Sequence, residues 1–309
     1  MTKLIIRRLI WTIPVILLVI FMTFILMRQI AGNPFRTSER AIPVEIQRNL
    51  ERKFGLDKPW YEQYLQYVQN VATFDLGPSL VLRNRDVNDI VKEHFKVSLE
   101  LGALAFLFAF FFGVLIGAIS GLRANSWVDY SAMFVSNVGY ALPSFLVATL
   151  LIYFFALQWD VGLPTSGWDT WQSKILPVIA LGLAPMAAFA RLVRGTMLET
   201  LQQDYIRTAR AKGLRWRRVV GLHVLRNSMI PVITAAGPTL GFLITGSFVI
   251  EQIFAIPGIG RYYVTAVTAR DYSVVMGLTV LLAIIVILAN MVVDILYGFL
   301  DPRTRDART

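Results

Sequence analysis

The sequence predicts an all-α membrane protein with six transmembrane helices. It also predicts an extracytoplasmic insert after the first helix and a basic cytoplasmic loop between the fourth and fifth. Three observations carry this. The 309 residues are 56% hydrophobic, with a mean hydropathy of +0.58, too apolar for a soluble domain. The apolar residues gather in blocks near 9–27, 99–122, 130–157, 175–193, 229–250 and 274–299, and about 20 such residues cross a hydrocarbon core of about 30 Å. Alternating strand patterns of the barrel kind are missing, so the spans are helices.

The first block follows Lys3, Arg7 and Arg8. It is long for a signal peptide and no small-residue cleavage site follows, which predicts an uncleaved anchor over 1–30 with its start inside. Residues 31–96 form the insert. It opens on the turn signal Gly32-Asn33-Pro34. After Pro59, Tyr61, Tyr64, Leu65 and Val68 recur at helical spacing, which predicts a short amphipathic helix that either anchors at the interface or covers a path. Asp75-Leu76-Gly77-Pro78-Ser79 reads as a turn.

Residues 97–300 form a five-helix core. Gly113, Gly117 and Gly121 stand four apart on one face of the second span, and small residues at that spacing let helix backbones approach closely. Gly237, Gly241 and Thr245 repeat the pattern in the fifth. The seam is either helix packing inside one subunit or a contact between subunits. Pro177 and Pro185 in the fourth span, and Pro231 and Pro238 in the fifth, permit kinks. Asp294, with Asn290 one turn before it, is the clearest in-span ionisable group and reads as a structural hydrogen-bonding pair or a substrate contact. Glu100 sits at the outer edge of the second span, where it can face water.

Short loops give the orientation. The basic start, the loop at 204–227 and the tail at 301–309 stay inside, whereas 158–173 carries Asp160 and Asp169 without Lys or Arg. Both termini are therefore cytoplasmic. The formal charge of +10 sits at span ends and inner loops, where anionic lipid headgroups attract it, and no aromatic-basic pattern points to nucleic acid. The absence of cysteine rules out disulfides and a thiol nucleophile. His94 and His223 are too few and too far apart for a zinc site.

The basic loop is the most informative stretch. Arg207, Arg210, Lys212, Arg215, Arg217, Arg218 and Arg226 stand against Asp204 alone. Its run Arg207-Thr208-Ala209-Arg210-Ala211-Lys212-Gly213, followed by His223-Val224-Leu225-Arg226-Asn227, resembles the "EAA" loop of bacterial ABC importer permeases, closest to the dipeptide and oligopeptide branch. Ala209 and Gly213 keep the third and seventh places of E-A-A-x-x-x-G. Arg207 and Thr208 replace Glu and Ala, His223 and Leu225 hold the I and L places of I-x-L-P, and Arg226 stands where Pro would be. The outer segment Glu251-Gln252-Ile253-Phe254-Ala255-Ile256-Pro257-Gly258-Ile259-Gly260, then Arg270-Asp271-Tyr272, is similar to the same branch. So are Phe54-Gly55-Leu56-Asp57-Lys58-Pro59, the turn at 75–79 and Asp301-Pro302-Arg303.

The resemblance implies a type I ABC importer permease fold with a coupling helix in the loop at 200–228. It implies a transport subunit rather than an enzyme, in a bacterial inner membrane. The expected partners are two ABC ATPase subunits that bind ATP and Mg, a second homologous permease and an extracytoplasmic substrate-binding protein. The chain itself is expected to hold no cofactor; it has no Gly-Lys dipeptide and hence no Walker A loop. Arg207, Thr208, Ala209, Arg210, Lys212, Gly213, Arg217, His223, Leu225 and Arg226 are the expected ATPase-coupling residues. Ala209 and Gly213 offer a thin packing face, and Arg207, Arg210 and Arg217 offer charge to acidic partners. The turn at 121–129 is a second, smaller contact. Glu251, Phe254, Pro257, Gly258 and Gly260 are outer-gate candidates. The expected cargo is di- or oligopeptides, moved by alternating access; nickel, glutathione or oligosaccharide is the alternative within the same fold. A stand-alone channel or ion-coupled carrier is the rival from another class, disfavoured by the few charges inside spans.

Overall fold

The computed structural model describes residues 2–29, 49, 52, 55–82, 84–245 and 248–300, with side chains from Ile10 to Val292. The turn at Gly32-Asn33-Pro34, Phe54, the Asp294 side chain and the tail at 301–309 lie outside the described residues. All elements named here are helical, and one isolated bridge joins Pro78 and Asp86. The helices are α1 (Thr2–Gln29), α2 (Trp60–Ala72), α3 (Val87–Leu122), α4 (Trp127–Ala141), α5 (Ser144–Leu151), α6 (Trp171–Leu201), α7 (Asp204–Ala211), α8 (Arg226–Ile244), α9 (Phe248–Ile253), α10 (Ile259–Ala269) and α11 (Tyr272–Leu300). Five helical segments among the described residues are long and apolar enough to cross a membrane. The count is six when the bent pair α4 and α5 is one span.

That bent pair corrects the third span, expected as one block over 130–157. The chain turns by 106° between α4 and the α5 segment. Leu142 is extended, with φ −78° and ψ 128°, because the ring of Pro143 disfavours helix in the residue before it. After α5 the chain continues as a π-helical Ile152–Gln158. By contrast α6 and α8 run on through Pro177, Pro185, Pro231 and Pro238.

Two further boundaries move. α3 starts at Val87, so helix crosses the expected edge between insert and core at 96. Its 36 residues make about 54 Å at 1.5 Å each, more than a bilayer core needs. The fifth span starts inside the basic loop: Trp216–Arg218 runs through π-helical Val219–Leu225 straight into α8. The His223 to Asn227 stretch is therefore helix rather than connector. The loop at 251–272 also contains α10.

The core is built around α6. α3 packs along it, α4 and α8 flank it, and α1 covers α11. The glycine stripe is the contact. A Cβ at Gly113 would lie 2.7 Å from Met186 O and from Phe189 Cβ, and one at Gly117 would overlap Ala190 O and lie 2.7 Å from Val193 Cβ. The α3 stripe is thus packed inside this subunit, as is Gly241, whose Cβ would lie 3.2 Å from Ala289 Cβ. One apolar cluster joins Leu101, Leu176, Phe254 and Ile256; a second joins Phe189, Met197, Ile206 and Val224.

The insert helix α2 rests on the end of α1. Tyr64 meets Phe21 and Phe24 edge-on at 5.6 and 5.7 Å, and Arg28 Nη1 donates to Gln63 Oε1 at 3.1 Å. Its packed face is Gln63, Tyr64, Tyr67 and Val68, while Tyr61 and Leu65 are exposed. The expected helix forms, but only part of the expected apolar stripe is its inner face. Glu100 does not simply face water: Lys174 Nζ donates to it at 2.6 Å and Trp168 Nε1 at 3.0 Å.

Candidate functional site

The basic loop folds as a short helix with one face on the protein and one on solvent. Asp204 opens α7, where a negative side chain complements the helix dipole. It also lies 3.6 Å from Arg207, but both are exposed, so that pair contributes little. Ile206 and Ala209 point inward and are buried with Val193, Met197, Val219 and Val224. Tyr205, Arg207, Thr208, Arg210 and Lys212 face out.

Gly213 ends the helix. Its φ is +77°, a region that costs an L side chain about 1–2 kcal/mol. Gly213 N–H donates to Arg210 O at 2.9 Å and Leu214 N–H to Ala209 O at 3.3 Å. These are the two bonds of a glycine-terminated helix end, with Leu214 closing over Ala209. The glycine therefore sets the angle at which the chain leaves α7.

Of the expected thin packing face, Ala209 is buried in the chain's own core, while Gly213 is exposed with nothing within 4 Å of a Cβ. The surface around it is Arg207, Thr208, Arg210 and Lys212, continued by Arg215, Trp216, Arg217 and Arg218, all exposed. The Arg210 guanidinium sits 4.1 Å over the Trp216 ring, an attractive cation–aromatic contact that steadies the patch. Arg226 is exposed; His223 and Leu225 are half-buried where the loop turns into α8. Ser228 Oγ donates to Val224 O at 2.8 Å and Thr196 Oγ1 donates to Ser228 O at 3.0 Å. That stitch ties the loop's return helix to α6 and carries no signature in the sequence.

Beside the loop lies a clamp. Asp129 is fully buried. Arg194 grips it with two bonds, Nε to Oδ1 at 2.6 Å and Nη2 to Oδ2 at 2.7 Å. Ser120 Oγ also donates to it, and Asn125 N–H does so at 2.9 Å. The clamp joins α3, α4 and α6. In the turn it holds, Arg123 and Trp127 are exposed.

At the opposite end, three of the five gate candidates converge. Glu251 is fully buried. Its Oε1 accepts from Ser98 Oγ at 2.8 Å and its Oε2 from Gly260 N–H at 2.8 Å, while Ser98 Oγ accepts from Ile259 N–H at 2.9 Å. Phe254 is buried in the core and its carbonyl accepts from Gly167 N–H at 2.8 Å. Pro257 is exposed, with its carbonyl 3.0 Å from His94 Nδ1. A second carboxylate, Asp271, accepts from Ser79 Oγ and from Leu80 N–H at 3.1 Å. It pins the insert to the turn before α11. These two carboxylates lock α10 between α3, α9 and the insert.

The lock is tight at Gly258, where a Cβ would overlap the Glu251 carboxylate and Ser98 Oγ. Gly258→Ala is expected to destabilise the protein by about 2 kcal/mol through overpacking. The check is the unfolding midpoint of the purified protein in detergent, which should fall while Gly162→Ala, in open space but at positive φ, falls less.

A family model described as binding-protein-dependent transport system inner membrane component matches residues 113–306, and its N-terminal companion matches 1–77. The dipeptide transport system permease protein DppB of Bacillus subtilis is 44% identical over 96% of this chain and 96% of its own length. The oligopeptide transport system permease protein OppB of Haemophilus influenzae is 44% identical over 99% of this chain and 100% of its own. An inward-facing structure of the MetNI methionine ABC transporter is similar in fold, with a TM-score of 0.56 at 19% identity. The match covers 69% of this chain and 96% of that one.

Proposed function

The chain belongs to the family of binding-protein-dependent transport system inner membrane components, and we propose that it is the permease subunit of an ATP-driven importer of dipeptides or oligopeptides. The likeness to dipeptide and oligopeptide permeases at 44% identity over nearly the whole chain carries this reading. In it, an extracytoplasmic binding protein delivers the peptide, a second related permease completes the path, and two partner ATPase subunits bind ATP and Mg. Both termini and the basic loop face the cytoplasm, in accord with the charge of the short loops. No cofactor is assigned to this chain.

Coupling runs through α7. Its outward Arg207 and Arg210, with Lys212 and Trp216 just beyond its end, dock on an ATPase, and its inward Ile206 and Ala209 pass the motion to α6 and α8. ATPase closure favours the outward-facing state, and hydrolysis returns the inward-facing one. Each partner shifts the equilibrium only by its differential affinity for the two states.

The test is ATP-dependent peptide uptake in vesicles holding this chain with its co-purified partners. ATP-dependent uptake of peptide supports the reading. Uptake of nickel, glutathione or oligosaccharide instead of peptide moves the cargo within the same fold, and flux with this chain alone returns the carrier. A second check is Gly213→Val. The left-handed strain of about 1–2 kcal/mol re-aims the chain leaving α7. Peptide uptake is expected to drop about tenfold, at the conversion of 1.4 kcal/mol per decade, while the protein still reaches the membrane. Unchanged uptake in Gly213→Val removes α7 from the coupling route.

A further inference from the structure

We propose that Arg191, with Tyr140 and Asn137, is a carboxylate station on the translocation path, and that it takes the C-terminal carboxylate of the cargo. The inference rests on the peptide-import reading and adds the recognition chemistry.

Arg191 lies within the apolar run of α6, ten residues before Leu201, about 15 Å from the basic-loop end by helix rise. A cation inside a span is costly unless it faces a water-filled cavity or a partner charge. Its neighbour Arg194 shows the paired solution, closed on Asp129 with two bonds. Arg191 shows the other. Its guanidinium carbon stands 3.9 Å over the Tyr140 ring, and Nη1 donates to Asn137 Oδ1 at 3.3 Å. Both neighbours are neutral, and no carboxylate among the described residues is assigned to it as an ion-pair partner. A guanidinium carries five N–H donors; the one bond to Asn137 leaves its outer edge for a bidentate acceptor.

The surroundings are polar and open. Tyr140 and Asn137 are exposed on α4. Two residues past Tyr140 the span breaks at Leu142 and Pro143 and turns by 106°. Broken backbone at membrane depth persists where it is buried in protein or lines an aqueous cavity. The exposed Asn137, Tyr140 and Pro143 place this break at an open surface. An aromatic-backed arginine at such an open surface reads a planar anion. Every peptide with a free end carries one such group whatever its side chains, so a single station serves a varied cargo. Passage requires that its hold be weak enough to release.

The test uses the assembled transporter in vesicles with its binding protein loaded with one peptide, either as free acid or as C-terminal amide. The readout is the ratio of the two uptake rates, in which a general loss of folded protein cancels. The expected ratio is about ten in the parent, the scale of one charge-assisted hydrogen bond pair. It should fall to about one in Arg191→Gln and lie between in Arg191→Lys, which keeps charge and loses the fork. A ratio that stays at its parent value in Arg191→Gln overturns the station, as does a parent ratio near one. Separation of the two permeases in Arg191→Gln also overturns it, in favour of an ion pair across the subunit seam. A parent transporter that moves neither form removes the peptide reading itself.

Discussion

Arg194→Ala is expected to destabilise the protein by about 3 kcal/mol, the low end of the cost of leaving a buried charge unpaired. Asp129 is fully buried, and among the described residues Arg194 supplies the only positive charge bonded to it, through two bonds at 2.6 and 2.7 Å. Ser120 Oγ and Asn125 N–H would remain, but neither brings a full charge. The low end applies because the Arg194 side chain keeps 27% of its surface in solvent, so water enters once the side chain is cut. The pair is a compensation and not a surplus, which makes a sharper second expectation. Asp129→Asn together with Arg194→Met should recover most of the loss, because the buried charge is then gone with its partner. Unfolding midpoints in detergent for the two single variants and the double variant close the cycle. A double variant as unstable as the sum of the singles would mean that the clamp contributes through packing and not through charge.

How much of this was legible in the sequence differs by the range of the interaction. Span-forming blocks were legible because each is a local composition, and the same holds for the basic loop. Gly213 was visible as a motif position, but its reason, a φ of +77°, was not. The break at Pro143 was missed because its proline sits in an otherwise uninterrupted apolar block. The prolines at 177, 185, 231 and 238 look the same in sequence yet lie inside continuous helices. Helix α10 was missed because Gly258 and Gly260 beside Pro257 read as loop, when they are close contacts with Glu251 and Phe248. Most hidden of all were the long-range pairs. Asp129 and Arg194 lie far apart in sequence, and Ser98 and Ser79 carry no motif. Arg191 lies within the fourth apolar block with no motif around it. A carboxylate 65 positions from its guanidinium leaves no periodicity to find.

A large steric effect is expected at Gly117, and its size tests where the glycine stripe belongs. A Cβ there would overlap Ala190 O and stand 2.7 Å from Val193 Cβ. The obstacle is partly backbone, which cannot rotate away, so α3 and α6 must part. Gly117→Leu is expected to cost about 3 kcal/mol, the upper end for overpacking. Gly121→Ala should cost far less, since its Cβ would meet Met197 Cβ at 3.1 Å and the next atoms at 3.6 Å. The ranking of unfolding midpoints, parent above Gly121→Ala above Gly117→Leu, is the check. A stripe serving a seam between subunits would instead leave the fold of Gly117→Leu intact and release the partner permease. The consequence reaches beyond stability, because the two obstructing residues border the two arginines: Ala190 precedes Arg191, and Val193 precedes Arg194. Pushing α6 away at this level would draw Arg194 off Asp129 and Arg191 off Tyr140 in one displacement. Any Gly117→Leu protein that survives in the membrane should therefore show reduced coupling of ATP hydrolysis to uptake, which Gly121→Ala should spare.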